Sequence, residues 1–398
     1  MLSVEEALGA ILAHARVTPT ESLQLDRGCG RVPAAFRFTA AVDVPPFDNS
    51  SMDGFAVRAA DAPGELRVVG ESSAGAAADV AVAEGTAVRI MTGAPMPRGA
   101  DAVVPLEAVS ERDGVVSVPV APSGAYLRHA GEDTRRGDVV ELAAAPLTPA
   151  AIAVLASLGI GAVEARRRPR VAILSTGDEL RAPGEPLGAG QIHDANSFSL
   201  AAAVAEAGGE AVVLPRAVDD PGVIARVLLG ALSEVDLVVA SGGVSVGRHD
   251  HVRTVIEANG SVDFWRIRVQ PGKPLAFGTV RDRPVIGLPG NPVSALVTFE
   301  IFVRPLIRAM LGLRGHGRAV IRVVSGSRIG KDRERRAYLR VVARARGDGG
   351  YVAESAGGQG SHQLRPLAAA NALVIVPEGE EAAEEGRSYD ALLTGELA

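Results

Sequence analysis

Along the chain, stretches whose apolar residues recur every three to four positions give way to stretches where they alternate or run together. Ser3 and Glu6 stand at capping-box spacing, and Leu8, Ile11, Leu12 and Ala15 follow as an apolar stripe, which predicts an opening helix. Residues 31–61 read as extended. From about residue 65 to 120 the runs LRVVG, TAVRI and ADAVVP predict short strands, and SERDGVVSV predicts a hairpin turning at Asp113-Gly114. A further helix is expected after Thr148, with Pro149 suited to its first position. The simplest organisation is an elongated helical domain, 1–44 and 141–168, interrupted by an inserted β-rich domain, 45–140.

After the basic break at residues 165–170 the rhythm changes. VAILS, AVVLP, DLVVASGG, FWRIRV, LAFGTV and PVIGLPG read as strands, with helices expected over 197–207, 221–232, 251–258 and 292–311. Strands alternating with helices predict a three-layer, mostly parallel α/β domain over 169–317. From Arg318 the helical period disappears, and a C-terminal β domain is expected over 318–398. The fold class is therefore α/β and multidomain, without internal repeats.

Composition narrows the function classes. The length, 398 residues, fits two to four domains at ~150 residues each. A net charge of −6 speaks against a broad electrostatic hold on nucleic acid. A single cysteine, Cys29, excludes an internal disulfide and a cysteine-cluster zinc site. The N-terminus lacks a basic region followed by an apolar core, so no signal peptide is expected. Leu142 to Val163 carries no charge, but it contains Pro146 and Pro149, and Gly159 ends its helical part. That part, about ten residues, is too short to cross a bilayer. A cytoplasmic protein without membrane contact is the expectation. Of 41 basic residues only Lys273 and Lys331 are lysines.

In an open parallel sheet, ligands bind beyond the carboxyl ends of the strands. Four strands here run into polar Gly- or Pro-rich turns: STGDEL from Ser175, SGGVSVGRHDH from Ser241, QPGKP from Gln270 and GLPGNP from Gly287. Their shared position predicts one anion-handling pocket. Ser241-Gly242-Gly243 lets backbone N–H groups approach an anion. Asn291 and Pro292 are suited to capping and opening a helix whose free N–H groups face the pocket. Lys273 is a compact cation for an oxyanion. Asp178, Glu179, Asp219, Asp220 and Asp250 also follow these strands. Acids around a phosphate need a cation between them, which suggests Mg²⁺ held by one or two carboxylates and phosphate oxygens. For these acids the alternative is a helix N-cap, most clearly for Asp220 before Pro221, and Asp250 at the start of its helix could also cap. His249 and His251 do not share a helix face, so a histidine metal site is not expected. No HExxH, Walker A, GxSxG or Cys-His pairing is present.

The motifs PPFDNSSMDGFAV, MTGAPMP, GEDTRRGD, ILSTGDEL, SGGVSVGRHDH, QPGKPLAFG, GLPGNPVSAL and GQGSH, in this order, resemble those of the bacterial MoeA family of molybdopterin molybdenumtransferases, which is related to the E domain of gephyrin. The resemblance runs over essentially the whole chain. It implies insertion of molybdate into adenylylated molybdopterin with release of AMP, dependence on Mg²⁺, and a homodimer. It places the family's functional acids on Asp53, Asp133, Glu179, Asp220 and Asp250, with Asp250 and Glu179 as the magnesium ligands. Thr92, Lys273, Pro289, Pro292 and Ser361 match further functional or structural positions. Ser175, Thr176, Ser241, Gly242, Gly243, Ser245, Gly290 and Asn291 are expected to form the substrate pocket with them. Many members carry lysine where this chain has Gln270, which leaves Lys273 as the only lysine there, with Arg266 and Arg268 as compensating cations. SMDGFAV lies far in sequence from the pocket and would be delivered by the partner subunit of a head-to-tail dimer. Transient contact with a MogA/MoaB-type adenylyltransferase would supply the substrate. Two other readings stand beside this one: the preceding adenylylation step, since MogA-like proteins share the SGG and PGNP motifs, and a non-catalytic scaffold. The extra SMDGFAV, GEDT and GQGSH segments favour insertion over the first, and the intact acids favour catalysis over the second. A nicotinamide enzyme lacks its GxGxxG.

Overall fold

The computed structural model describes residues 1–76, 78–243, 251–347 and 349–397. It divides into two compact units, one of Ser22–Ala165 and one of Met1–Glu21 with Arg166–Ala398.

The Ser22–Ala165 unit is built on a six-stranded sheet. Its order is Ala102–Pro105, Gly54–Val57, Thr86–Ile90, Gly64–Ser72, Val115–Val118, Ser110–Arg112. Neighbours are antiparallel except Gly64–Ser72 and Thr86–Ile90, which run parallel. Phe55, Val57, Leu66, Val104 and Val116 form the core on one face. The expected hairpin is present: Asp113 and Gly114 have φ of 50° and 76°, and two successive positive φ values match the right-handed strand twist. The uncharged stretch folds as helix Pro149–Ser157, capped by Thr148 Oγ1 on Ala151 N at 3.2 Å. Its Leu155, with Leu147 and Val163, packs into a small core with Leu25. Among the described residues no helix is long and apolar enough to cross a membrane.

The larger unit opens with helix Val4–Leu12, in which both capping-box bonds between Ser3 and Glu6 are made. Val4, Ala7 and Ile11 bury its apolar stripe in the main core. The central sheet has the order Glu210–Val213, Arg170–Ser175, Leu237–Ser241, Arg283–Leu288, Pro274–Val280, Gly260–Arg266. The first four strands are parallel; Pro274–Val280 runs antiparallel to Arg283–Leu288 and Gly260–Arg266 antiparallel to Pro274–Val280. Both faces are covered, so these strands are apolar without alternation. Val171 and Ile173 pack on one side with Leu200 and Val204 of helix Asn196–Ala207. Ala172 and Leu174 pack on the other with Ile224 and Leu228 of helix Pro221–Ala231 and Val252 of helix His251–Asn259.

The expected long helix from Pro292 is present but not uniform. It runs as Pro292–Thr298, a wider π turn at Phe299–Val303, and Arg304–Met310. Pro305 accounts for the change, because it has no N–H to give and its ring crowds the carbonyl four residues back. The C-terminal strands Val320–Ser325, Arg336–Ala345, Tyr351–Ser355, Ala372–Val376 and Ser388–Leu393 form a closed sheet, since Ala372–Val376 pairs both with Ser388–Leu393 and with Arg336–Ala345.

The QPGKP turn joins these parts. Val269–Gln270 adds a parallel pairing to Arg336–Ala337, and Gln270 Oε1 accepts the Asp332 N–H at 2.8 Å. Lys331 is occupied in the same loop, donating to the carbonyls of Asp332 and Arg335 at 2.9 and 2.6 Å. Gly272 has φ of +114°, and a Cβ there would stand 2.3 Å from Cγ2 of Thr298. The turn can therefore lie against helix Pro292–Thr298 only as glycine. Gly272→Ala is expected to destabilise the protein by about 1–3 kcal/mol, read as a lower urea midpoint; an unchanged midpoint would show that the turn shifts freely.

Candidate active site at the carboxyl ends of the parallel strands

The turns that follow three parallel strands enclose a cavity of about 640 Å³. Ser175, Thr176 and Gly177 form one wall, Ser241 to Gly243 a second, and Pro289 to Pro292 a third. Pro274, from the QPGKP turn, and His362 close its rim. The register explains the convergence, because Ser175 pairs with Ser241 and Ser241 with Leu288 across the sheet.

The two glycines of the second wall are set by close approach. Gly242 has φ of +91°, and a Cβ on it would lie 2.6 Å from the Thr176 carbonyl oxygen. The same missing Cβ leaves the Gly242 backbone uncovered where a ligand can reach it. Gly242 N donates to Leu288 O at 3.3 Å, and Thr176 N donates to Ser241 O at 3.0 Å.

Beneath these turns lies a buried polar group. Ser197 donates through its backbone N–H and its hydroxyl to the carboxylate of Asp194, at 3.0 and 2.5 Å. The Ser175 and Ser197 hydroxyls lie 2.8 Å apart. Ser175 therefore faces inward and holds the first turn, although it also borders the cavity.

Asn291 departs from its expected role. It occupies the N-cap position of helix Pro292–Thr298 but makes no capping bond. Its amide instead donates to Ser361 Oγ at 3.0 Å, and Val293 N donates to Ser361 O at 3.3 Å. The helix start is thus capped from outside by the GQGSH loop, which also brings His362 to the cavity.

Arg340, which sequence reasoning did not single out, holds that loop from below. The side chain is fully buried, and Nη2 donates to the carbonyls of Gly358 and Gly360 at 2.7 and 3.2 Å. Nε and Nη1 have no partner among the described residues. Burial pushes the guanidinium pKa down from its ordinary value. A lone arginine between strand residues gives no sequence signal.

The acids divide into groups. Glu179 and Asp219 line the cavity. Asp178 Oδ1 accepts the Asp219 N–H at 3.2 Å. Asp220 Oδ1 accepts the Val223 N–H at 2.8 Å and caps helix Pro221–Ala231. Ser245 and Asp250 lie outside the described residues. No group of three metal-binding side chains occurs among the described residues. Two cavity carboxylates nevertheless fit magnesium, a hard cation that takes one or two protein carboxylates and completes its shell with substrate phosphate and water. The Lys273 side chain is exposed, and its neighbour Pro274 borders the cavity.

Three predicted residues belong to the Ser22–Ala165 unit. Asp53 Oδ1 accepts both the backbone N–H and the hydroxyl of Thr92, at 2.6 and 2.8 Å. Asp133 lies exposed in a turn anchored by its N–H to Val44 O at 3.0 Å.

Comparison with known proteins decides the family. Residues 2–159 match the MoeA N-terminal region (domain I and II), 172–309 the probable molybdopterin binding domain, and 322–394 the MoeA C-terminal region (domain IV). The chain is 37% identical over 388 residues to a molybdopterin molybdenumtransferase of Haemophilus influenzae, covering 95% of each. The chain belongs to the MoeA family. It is also 41% identical over 359 residues to molybdopterin molybdenumtransferase 2 of Mycobacterium tuberculosis, covering 85% of this chain and 86% of that one. A crystal structure of the MoeA molybdopterin biosynthesis protein from Pyrococcus horikosii superposes with a TM-score of 0.81, at 33% identity and full coverage of both chains. The whole multidomain architecture is thus that of MoeA proteins, and the cavity lies in the segment matching the molybdopterin-binding domain.

The Thr92 bonds hold the Asp53 carboxyl below the usual carboxylate range, the backbone bond first and the hydroxyl second. A depressed folded-state pKa means that the link is present above the ordinary carboxylate pKa and is lost as pH falls through the depressed value. In Thr92→Val the carboxyl-carbon NMR titration of Asp53 should move upward toward the ordinary value; an unmoved titration would mean that the hydroxyl contributes nothing.

Proposed function

We propose that this transferase of molybdenum cofactor biosynthesis inserts molybdate into adenylylated molybdopterin and releases AMP. The observation that carries the reading is the cavity itself, enclosed by the Ser241–Gly243 and Pro289–Pro292 turns at the ends of parallel strands in the molybdopterin-binding segment. Such turns favour phosphate and other oxyanions.

The pterin and its phosphate would lie between the Ser241–Gly243 and Pro289–Pro292 turns. Molybdate is a small tetrahedral dianion and needs compact cationic and hydroxyl partners. Lys273 and Ser361 supply one of each, and the buried Arg340 guanidinium adds a second positive charge behind the Ser361 loop. In this reading Gln270 is a structural brace on Asp332, and Arg340 rather than Arg266 or Arg268 compensates for the missing lysine.

A water attacks the pterin-side phosphorus of the anhydride, and the P–O bond to AMP breaks with its electron pair leaving on AMP; molybdate joins the two pterin thiols through two molybdenum–sulfur bonds, and one of its oxygens leaves as water with the two thiol protons. The protein's part is to hold the two reactants in line. Glu179, with Asp250, would hold Mg²⁺ when it is bound; its charge would offset that of the phosphates. Asp219 lines the same wall, while Asp220 is given to capping.

The four-domain division read from the sequence, a homodimer, and a cytoplasmic site of action complete the proposal. Asp53, Thr92 and Asp133 would act on the pocket of the partner subunit. A MogA/MoaB-type adenylyltransferase would hand over its product.

Purified protein mixed with adenylylated molybdopterin and Mg²⁺ should release AMP only when molybdate is added. In Lys273→Ala the molybdate concentration for half-maximal release should rise at least tenfold, equivalent to ~1.4 kcal/mol, with pterin affinity unchanged. AMP release that ignores molybdate would overturn the insertion reading; an unchanged half-saturation would remove Lys273 from the oxyanion site.

A further inference from the structure

One side chain spans the two glycine turns that frame the cavity. Asn196 is the first residue of helix Asn196–Ala207, and its amide Nδ2 donates to Ser241 Oγ at 2.7 Å and to the Gly290 carbonyl at 2.7 Å. A carbonyl can only accept, so the nitrogen must face Gly290, and this fixes which way the amide points. Each of its two N–H groups then serves a different turn. The Oδ1 atom is buried in the cavity wall with no partner.

That arrangement is costly for a residue that only begins a helix. Aspartate would do so equally well, since negative charge is favoured at a helix N-terminus, and serine would leave no buried amide oxygen. What only the carboxamide provides is two coplanar donors reaching two acceptors on separate turns. Gly290 and Gly242 are close enough that a Cβ on Gly290 would stand 3.6 Å from the Gly242 Cα. The spacing of the two turns is therefore set where Asn196 bridges them.

We propose that Asn196 is a positioning residue of the transfer reaction, a clamp that fixes the distance between the Ser241–Gly243 and Pro289–Pro292 turns and thereby the fit of the pterin phosphate. The proposal rests on the molybdopterin reading of this cavity. It acts through Ser241 and Gly290.

The test is Asn196→Asp, which keeps the size and the helix start but has no N–H to give either turn. The thermal midpoint should stay within a few degrees of wild type. The KM for adenylylated molybdopterin should rise at least tenfold, while the molybdate concentration for half-maximal AMP release changes less than twofold. Adding Ser241→Ala to Asn196→Ala should worsen KM by far less than the two single effects multiplied, because both remove the same bridge. A wild-type KM in Asn196→Asp, or fully multiplicative effects in the double variant, would overturn the clamp. Should Asn196→Asp fail to fold, Asn196→Ser answers the same question, since serine starts a helix but is too short to reach both turns. Equilibrium dialysis of molybdopterin alone separates the two ideas. Weaker binding in the variants supports the clamp even if wild type releases no AMP with molybdate, and that absence would count against the transferase reading only.

Discussion

A side chain at Gly242 would have to occupy the space of the Thr176 carbonyl, and the whole site depends on that closeness. It brings the turns after two neighbouring strands into contact, so that the third, at Pro289–Pro292, closes a cavity instead of a surface groove. The parallel register places all three turns at one end of the sheet. The apolar layers on both sheet faces keep that register from slipping, since a shift by one residue would exchange Ile173 and Leu174 between two separate cores.

Around this rigid frame the charges are arranged with little redundancy. Exposed carboxylates, Glu179 and Asp219, face a cavity suited to an anion. Apart from them, the fold buries the Arg340 guanidinium without a carboxylate partner among the described residues and uses it to hold the Gly358–Gly360 loop. A buried, unpaired cation is destabilising on its own, and here its two bonds to the Gly358 and Gly360 carbonyls offset part of that cost. The same economy holds at Asn196, whose oxygen is left unpaired so that its nitrogen can bridge two turns.

Much of this was legible in the sequence. The strand and helix alternation from Val171, the capping box at Ser3, the Asp113-Gly114 hairpin and the four polar turns all follow from local pattern, and motif resemblance gave the family. What was not legible depends on distant packing. Asn291 looked like a helix cap because capping is a local rule; the structure turns it toward Ser361, seventy residues on, a contact that no spacing predicts. Arg340 and Asn196 carry no motif of their own, and their importance arises only from what the fold brings within hydrogen-bonding reach. Gln270 read as a lost cation, whereas its amide oxygen holds the Asp332 loop. The long helix was found but not its π turn, because apolar periodicity marks a helix without showing how a proline inside it, here Pro305, changes the winding.

The central claim is that the cavity between the glycine turns receives the pterin phosphate. A crystal structure of the protein soaked with molybdopterin tests it most directly. The account predicts phosphate density against the Ser241–Gly243 turn, with the pterin extending past Asn291 and Ser361. Density for the pterin elsewhere, with this cavity holding only water, would contradict it.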